Sequence, residues 1–428
     1  MDALKIAIAG TGTVGSGVLE LILKNKIHIE KRINKKIFIS AVTSRKKKNI
    51  KNKVGSKTII FENANQLVNF DDYDILIELI GGDEGVAKKI IFDALGKGKN
   101  IVTANKALVA KYGFDLLNVA EKNKCRIAFE AAVAGGIPII GTLKDFLLSN
   151  KIKKVCGILN GTSNFILSKM QETNRSFLLI LEEAKKLGYA ESDPSFDING
   201  MDSAHKISII SMISFGNVIN SSQVYVEGIE DIEIEDINYS DTLGYKIKLL
   251  GITEKLGNKI SQFVYPCLIN KNSTLANVDD VFNGVLIESD FNDNLFLQGQ
   301  GAGSFPTASS VMNDVIELSC SDLSYFDLTT KNLKKYNNNQ IQERIGSYYL
   351  RFTTEDKPGV IASISKEFKK YNISMKSMLQ KEAKQKKQAS IVVTTHSCKE
   401  LFMQQAIKKI NLMSFVKKKT ILYRIEEI

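Results

Sequence analysis

The sequence predicts an α/β protein built from an N-terminal Rossmann-type nucleotide-binding domain, a central α+β domain and a C-terminal ferredoxin-like βαββαβ unit. Three observations carry this reading. A short apolar run, Lys5 to Ala9, leads at once into Gly10-Thr11-Gly12-Thr13-Val14-Gly15 and then an amphipathic segment through Leu23. Buried-strand patterns then alternate with helical ones up to Phe129, as in a doubly wound parallel sheet. The last segment, from Tyr348, reads strand, helix, strand, strand, helix, strand. A chain of 428 residues exceeds one ordinary core, so two to three domains are expected.

Composition narrows the class. Hydrophobic residues make up 44% and charged residues 25%, the balance of a soluble globular protein. No apolar run approaches the roughly 18 residues of a membrane span, and MDALKIAIAG enters a strand pattern without a leader-like stretch. Cys125, Cys156, Cys267, Cys320 and Cys398 are scattered without metal-ligand spacing, so a reduced, cytoplasmic location is expected. The net charge of +11 is concentrated: Lys31 to Phe61 holds eleven Lys or Arg and no acid. A chain otherwise balanced in charge, without basic stripes interleaved with aromatics, argues against a nucleic-acid partner.

In the first domain, 1–137, Gly10 permits a tight turn, Gly12 lets backbone approach a pyrophosphate, and Gly15 allows close strand–helix packing. Thr13 and Val14 open the helix whose N-terminus favours negative charge. The second strand, Ile37 to Thr43, ends at Ser44-Arg45-Lys46-Lys47-Lys48 without the carboxylate that would hold a ribose 2′-hydroxyl. NADP is therefore favoured, with Arg45 as the phosphate contact and Lys57 as a second candidate; use of NAD stays open. DILIELI ends in Gly81-Gly82, and NIVTA in Asn105-Lys106-Ala107, which puts Lys106 at a sheet edge where cofactor or substrate would lie. FEAAVAGGIP joins a carboxylate, Glu130, to small residues whose carbonyls could converge on a hard cation, or forms the hinge that leaves the domain.

The central domain, 138–303, contains GYAESDPSFDINGMDSAHKISIISMISF. Asp202 and Lys206 are four apart and share a helix face. The apolar Ile207, Ile209, Ile210, Met212 and Ile213 mark that helix as buried, so the pair is more than a surface salt bridge. A lysine beside a carbonyl can donate to the developing alkoxide, and Lys206 is the candidate donor. Glu191 and Asp202 could receive a substrate ammonium or hydroxyl, with Asp197 in support. His205 reads as a packing residue. Asn160-Gly161-Thr162-Ser163-Asn164 offers polar groups to a ligand or caps a helix. A second glycine turn, Gly299 to Gly303, leads into a helix that should return to the cofactor cleft and complete the first domain over about 304–328. Residues 329–345 read as a polar linker before the βαββαβ unit, 346–428.

With GTGTVGSGV, IELIGG, VTANKALVA, FEAAVAGGIPII, LNGTSNFIL, GYAESDPSFDINGMDSAHK and GAGSFPTAS in this order, the chain resembles homoserine dehydrogenases of the longer bacterial type with a C-terminal ACT domain. The resemblance implies reversible NAD(P)H-dependent reduction of L-aspartate 4-semialdehyde to L-homoserine, on the route to threonine, methionine and isoleucine. It implies Lys206 as proton donor, Glu191 and Asp202 as substrate-binding acids with Asp197 and Tyr189 nearby, and Lys106 between cofactor and substrate. It further implies a sodium site at Glu130, Val133, Gly135 and Ile137, cofactor contact at Gly303, dimerisation through the central domain and a homodimer or homotetramer. TTEDKPGVIASISKEF resembles an ACT domain, which suggests threonine as a feedback ligand. Ala132 stands where the family pattern leads one to expect Ser, and Ser203 where Ala is usual; neither position is one to which the resemblance assigns a catalytic or binding role. The alternative from another class is a non-catalytic sensor of amino acids and nucleotides, but no DNA-binding output segment is evident.

Overall fold

The computed structural model describes residues 3–45, 50–320, 330–382 and 388–428. Lys46, Lys47 and Lys48, the end of the completing segment (321–328) and the first residue of the expected linker lie outside the described residues.

Six parallel strands form the N-terminal sheet: β1 (Ala3–Ala9), β2 (Lys36–Thr43), β3 (Ile59–Phe61), β4 (Ile75–Glu78), β5 (Asn100–Thr103) and β6 (Ile127–Ala128), in the order β3-β2-β1-β4-β5-β6. Alternation along β1 decides what covers each face. Ile6 and Ile8 pack with Val18, Leu19 and Ile22 of helix α1 (Thr13–Ile33). Ala7 and Ala9 pack with residues of α2 (Val86–Gly96) and α3 (Lys106–Lys122). Helix α1 runs ten residues past the expected Leu23, because Ile29 and Ile33 keep its apolar face buried until Asn34 adopts a left-handed cap. Its last turn carries Lys31 and Arg32, where cations complement the helix dipole.

Beyond Pro138 a short α-turn, Ile139–Gly141, runs into a π-type turn, Thr142–Phe146; the Leu147 N–H bonds the Thr142 carbonyl five residues back. The central domain follows with β7 (Ile152–Ile158), α4 (Gly161–Thr173), α5 (Phe177–Leu187), α6 (Met201–Phe215), β8 (Tyr225–Val226), α7 (Ile234–Thr242), β9 (Tyr245–Leu256), β10 (Lys259–Asn270), β11 (Phe282–Ser289) and β12 (Asn294–Gln300). Helix α6 is buried nearly all round, between the sheet and the other helices, its Asp202, Lys206, Ser203, Ser208 and Ser211 included. Gly299 and Gln300, expected within a turn, close strand β12 instead. Helix α8 (Ser304–Cys320) returns to lie on α1, so close that a Cβ on Gly17 would meet the Ser304 hydroxyl oxygen at 2.6 Å.

The C-terminal unit comprises β14 (Ile345–Glu355), α9 (Val360–Lys370), β15 (Met375–Glu382), β16 (Gln388–Thr395), β17 (Cys398–Lys399), α10 (Glu400–Ile410) and β18 (Ile421–Glu426), after a two-residue β13 (Asn337–Asn338). Its strand order β18-β14-β16-β15 is ferredoxin-like. The unit is not detached, as its sequence suggested: β18 pairs in parallel with β10, Cys267 opposite Arg424 and Ile269 opposite Glu426, and both units share one twelve-stranded sheet. Nor is the polar stretch before it loose. Lys334 exchanges backbone bonds with Gly216 and Val218, Asn337 and Asn338 pair with β10, and Ile341 is buried.

Candidate active site

The glycine loop is shaped by contacts that exclude side chains. Gly10 has φ +101°, and a Cβ there would lie 2.8 Å from the Leu79 carbonyl oxygen; one on Gly15 would lie 2.1 Å from the Gly10 oxygen. Around Gly12, by contrast, nothing lies within 4 Å of the place a Cβ would take, so this residue faces open space at the start of α1, where no side chain caps the first turn and no acid occupies it. The loop is tied to the carboxyl end of β2: the Gly10 N–H donates to Thr43 Oγ1 (2.8 Å), and the Thr11 hydroxyl donates to the Thr43 carbonyl (3.0 Å). From the other side the Ser304 hydroxyl donates to the Thr13 carbonyl at 2.8 Å, beside Gly303, whose φ is +126°. An open glycine, unspent helix N–H groups and no acid at the rim fit the pyrophosphate of a dinucleotide. Arg45 is exposed just past Thr43. Lys57 is set apart from it: Thr58, its neighbour, bonds the Ile39 carbonyl, which places this turn at the middle of β2 instead of its carboxyl end.

Lys106 owes its position to a residue the sequence reading passed over. Glu78, wholly buried at the end of β4, accepts the N–H groups of Ile80 (2.7 Å) and Gly81 (3.0 Å) and the Thr103 hydroxyl (2.7 Å). Thr103 in turn accepts the Asn105 N–H, and Asn105 caps α3 by accepting the Leu108 N–H while donating to the Gly82 carbonyl. Lys106 thus starts a fixed helix at the sheet edge. The signal available was an acid inside an otherwise apolar run that ends in two glycines.

Across the cleft, Asp202 on α6 sits between two lysines: Lys106 Nζ is 2.8 Å from Oδ1 and Lys206 Nζ 2.8 Å from Oδ2. Lys206 also donates to the Leu159 carbonyl (2.6 Å), and the Asn160 amide donates to both Asp202 (2.9 Å) and Asp197 (2.8 Å). Asn160 caps α4 as well, through the Ser163 N–H. The helix-cap reading of that loop therefore holds for this residue, which also ties Asp197 to Asp202.

Burial alone would push the Asp202 carboxyl up, yet the paired charges of Lys206 and Lys106 hold it well below the usual carboxylate range. Burial likewise opposes the charge on Lys106, but Asp202, then Asp197 and Glu191, raise it above an ordinary lysine. Lys206 goes the other way: its burial, with the Lys106 charge nearby, outweighs Asp202 and lowers it. Asp197 is raised, chiefly by burial. The site therefore holds one fixed cation, one fixed anion and one lysine poised to exchange a proton.

The remaining candidates lie around this cluster. Glu191 and Tyr189 are exposed at its mouth; the Tyr189 ring packs on Phe165 at 5.0 Å and its carbonyl accepts the Thr162 hydroxyl. Asp193 lies outside the cluster and accepts the Ser195 N–H. His205 packs edge-on against Phe196, and burial lowers its pKa. Glu130, Val133, Gly135 and Ile137 share one buried turn. The Glu130 carboxylate accepts the N–H groups of Ile140 (2.8 Å) and Gly141 (2.6 Å), and burial pushes it up to about 7.

Comparison with known proteins decides among the dehydrogenases. The profile described as "Homoserine dehydrogenase" matches residues 138–316, its NAD-binding companion residues 10–130, and the ACT domain residues 348–411. Over the full length of both chains the sequence is 39% identical to a homoserine dehydrogenase of Neisseria gonorrhoeae. The chain belongs to the homoserine dehydrogenase family. A homoserine dehydrogenase from Thiobacillus denitrificans superposes with a TM-score of 0.94 at 37% identity, covering 100% of this chain and 99% of that one. A hyperthermophilic archaeal homoserine dehydrogenase in complex with NADPH matches 74% of this chain and 98% of its own at 29% identity and a TM-score of 0.63. As a homoserine dehydrogenase the chain is an oxidoreductase with a nicotinamide-binding domain and a C-terminal ACT domain. Among the described residues no helix is long and apolar enough to cross a membrane.

Proposed function

We propose that this homoserine dehydrogenase reduces L-aspartate 4-semialdehyde to L-homoserine, reversibly, and that it prefers NADP. The observation that carries the assignment of roles is the Lys106–Asp202–Lys206 cluster, two lysines at 2.8 Å from one carboxylate, facing the nucleotide-binding loops. A bound nicotinamide supplies or accepts the hydride. Lys206, buried and lowered, donates the proton to the aldehyde oxygen in reduction and takes it from the hydroxyl in oxidation. Lys106, raised and permanently charged, stabilises negative charge on that oxygen, and Asp202 orients both lysines. Glu191 and Asp202 offer acceptors for the substrate ammonium or hydroxyl, with Asp197 in support and Tyr189 close by. This division of labour fits catalysis better than a sensor, which has no use for a buried lysine with a lowered pKa beside a second, charged lysine on one carboxylate.

The preference for NADP rests on Arg45 and on the lack of an acid at the end of β2. A sodium ion at Glu130, Val133, Gly135 and Ile137 follows from the resemblance. Glu130 and the backbone carbonyls of Val133, Gly135 and Ile137 are oxygen donors of the kind a hard cation takes. Threonine at the ACT domain, a role in threonine, methionine and isoleucine synthesis, a cytoplasmic location and a homodimer or homotetramer are read in the same way. One experiment tests the core of this: oxidation of NADPH and of NADH on adding aspartate 4-semialdehyde, with and without threonine. Semialdehyde-dependent oxidation, faster with NADPH and slowed by threonine, is expected. No oxidation with either coenzyme would refute the reaction.

A further inference from the structure

The C-terminal unit touches the central domain through more than the shared sheet edge. Arg424 of β18, 1% exposed, lies between the rings of Tyr265 and Tyr225, its guanidinium carbon 4.5 and 5.3 Å from their centroids. Its Nε and Nη2 hold Glu400, the first residue of α10, at 3.0 and 2.5 Å. Its other face holds Glu227 of the central domain in a fork: Nη1 to Oε2 at 2.6 Å and Nη2 to Oε1 at 3.2 Å. Such planar two-point pairing fixes orientation as well as distance.

Glu227 follows β8, and the residues beside it support the loop that leads into α6. The Glu227 N–H is tied to the Val264 carbonyl (2.8 Å), and the Ile229 N–H donates to the Ile198 carbonyl (2.9 Å). At Gly228 a Cβ would stand 2.5 Å from the Ile198 oxygen and 2.8 Å from the Asn199 Cα; at Gly200 one would stand 2.9 Å from a Val226 methyl. Segments 226–229 and 198–200 are therefore in direct contact, backbone on backbone at Gly228 and through the Val226 side chain at Gly200. The second segment begins one residue after Asp197 and ends one residue before α6, which carries Asp202 and Lys206. Close-packed contacts of this kind transmit a displacement instead of absorbing it.

We infer that Glu227, held by Arg424, is a positioning residue for the substrate loop: the C-terminal unit sets the height of segment 226–229, and that segment sets Asp197 and the start of α6. The inference rests on the proposed role of Asp197 in holding substrate. Its consequence is a defect specific to the amino-acid substrate, because Glu227 bonds Arg424, Tyr225 and Val264, none of which belongs to a nucleotide loop. Networks of this sort change coupling by amounts that correspond to roughly two- to thirtyfold in a binding constant.

The test compares steady-state homoserine oxidation by the full-length enzyme with that of Glu227→Gln, Gly228→Ala, Glu235→Gln and Asp197→Asn. Glu235→Gln is the control, since Glu235 pairs with Arg351 of the same C-terminal sheet at 3.0 Å but supports no part of the 195–200 loop. Glu227→Gln and Gly228→Ala should raise the KM for homoserine within the range above, with kcat and the coenzyme KM close to wild type, while Glu235→Gln stays at wild type in all three. Unchanged homoserine KM in Glu227→Gln, or an equal rise in Glu235→Gln, would overturn the inference; so would a coenzyme KM that rises in step. Asp197→Asn separates the failures. If it raises KM while Glu227→Gln does not, the positioning role is wrong; if neither does, the loop is not the substrate site and both readings fall.

Discussion

Lys106 Nζ lies 2.8 Å from Asp202 Oδ1, which joins the nucleotide-binding domain to helix α6 across the cleft between them. With that charge in place, Lys206, the other partner of Asp202, is the lysine whose pKa burial lowers below the ordinary 10.5. Reduction needs Lys206 protonated, so its rate should fall as pH rises through a value below the ordinary 10.5; oxidation needs it neutral, so its rate should rise through the same value. Stability carries the same sign. A lysine whose folded-state pKa is lowered binds fewer protons folded than unfolded, so stability rises between the lowered value and 10.5. Asp202, depressed, contributes stability above the ordinary 3.8 that is lost as pH falls through its folded value. Profiles of kcat against pH in both directions check the first pair; a reduction rate flat to pH 10.5 would contradict it.

Gly12 and Gly15 separate coenzyme binding from stability. At Gly15 an added methyl meets the Gly10 oxygen at 2.1 Å, so Gly15→Ala should lower stability by about 1–3 kcal/mol, the range of overpacked sites, and lose coenzyme as well. At Gly12 nothing is in the way, so Gly12→Ala should keep its melting temperature while the KM for coenzyme rises. Thermal melts of the apoenzyme and coenzyme titrations distinguish the two.

Arg45, exposed at the end of β2, has no hydrogen-bond or ion-pair partner among the described residues. Arg45→Ala should raise the KM for NADPH about tenfold, the loss of about 1.4 kcal/mol from one charge-assisted contact, and leave that for NADH unchanged. Equal effects on both coenzymes would remove it from the phosphate site.

Removing the C-terminal unit should cost stability and not regulation alone. A chain ending at Ile345 loses β18, exposes the edge of β10, and leaves Asp236 without Arg351, which holds it at 2.6 Å with both charges buried. Breaking a buried pair from one side typically costs about 3–5 kcal/mol, and an open strand edge favours aggregation. The truncated chain should melt well below the full-length protein and sediment in part as aggregate. A soluble truncation with an unchanged melting temperature would show that the shared sheet is dispensable.

Much of this architecture was legible from local pattern. The glycine loop after β1 and the Asp202–Lys206 spacing depend on neighbours in sequence, and both appear where they were expected. What escaped depended on contacts between distant segments. Glu78 read as one residue of a strand because its partners, Thr103 and the Gly81 N–H, define it only once the sheet is assembled. Asn160 joins Asp197 to Asp202 from 42 residues away in sequence. The union of the two C-terminal sheets turns on β10 pairing with β18, which no periodicity announces.

The central claim is that Lys206 moves the proton. The most direct measurement is semialdehyde-dependent NADPH oxidation by Lys206→Ala, with NADPH binding followed separately by fluorescence. The account predicts a fall in kcat of about a hundredfold or more, the scale of a lost general acid, with NADPH affinity close to wild type. Wild-type turnover in this variant would contradict it.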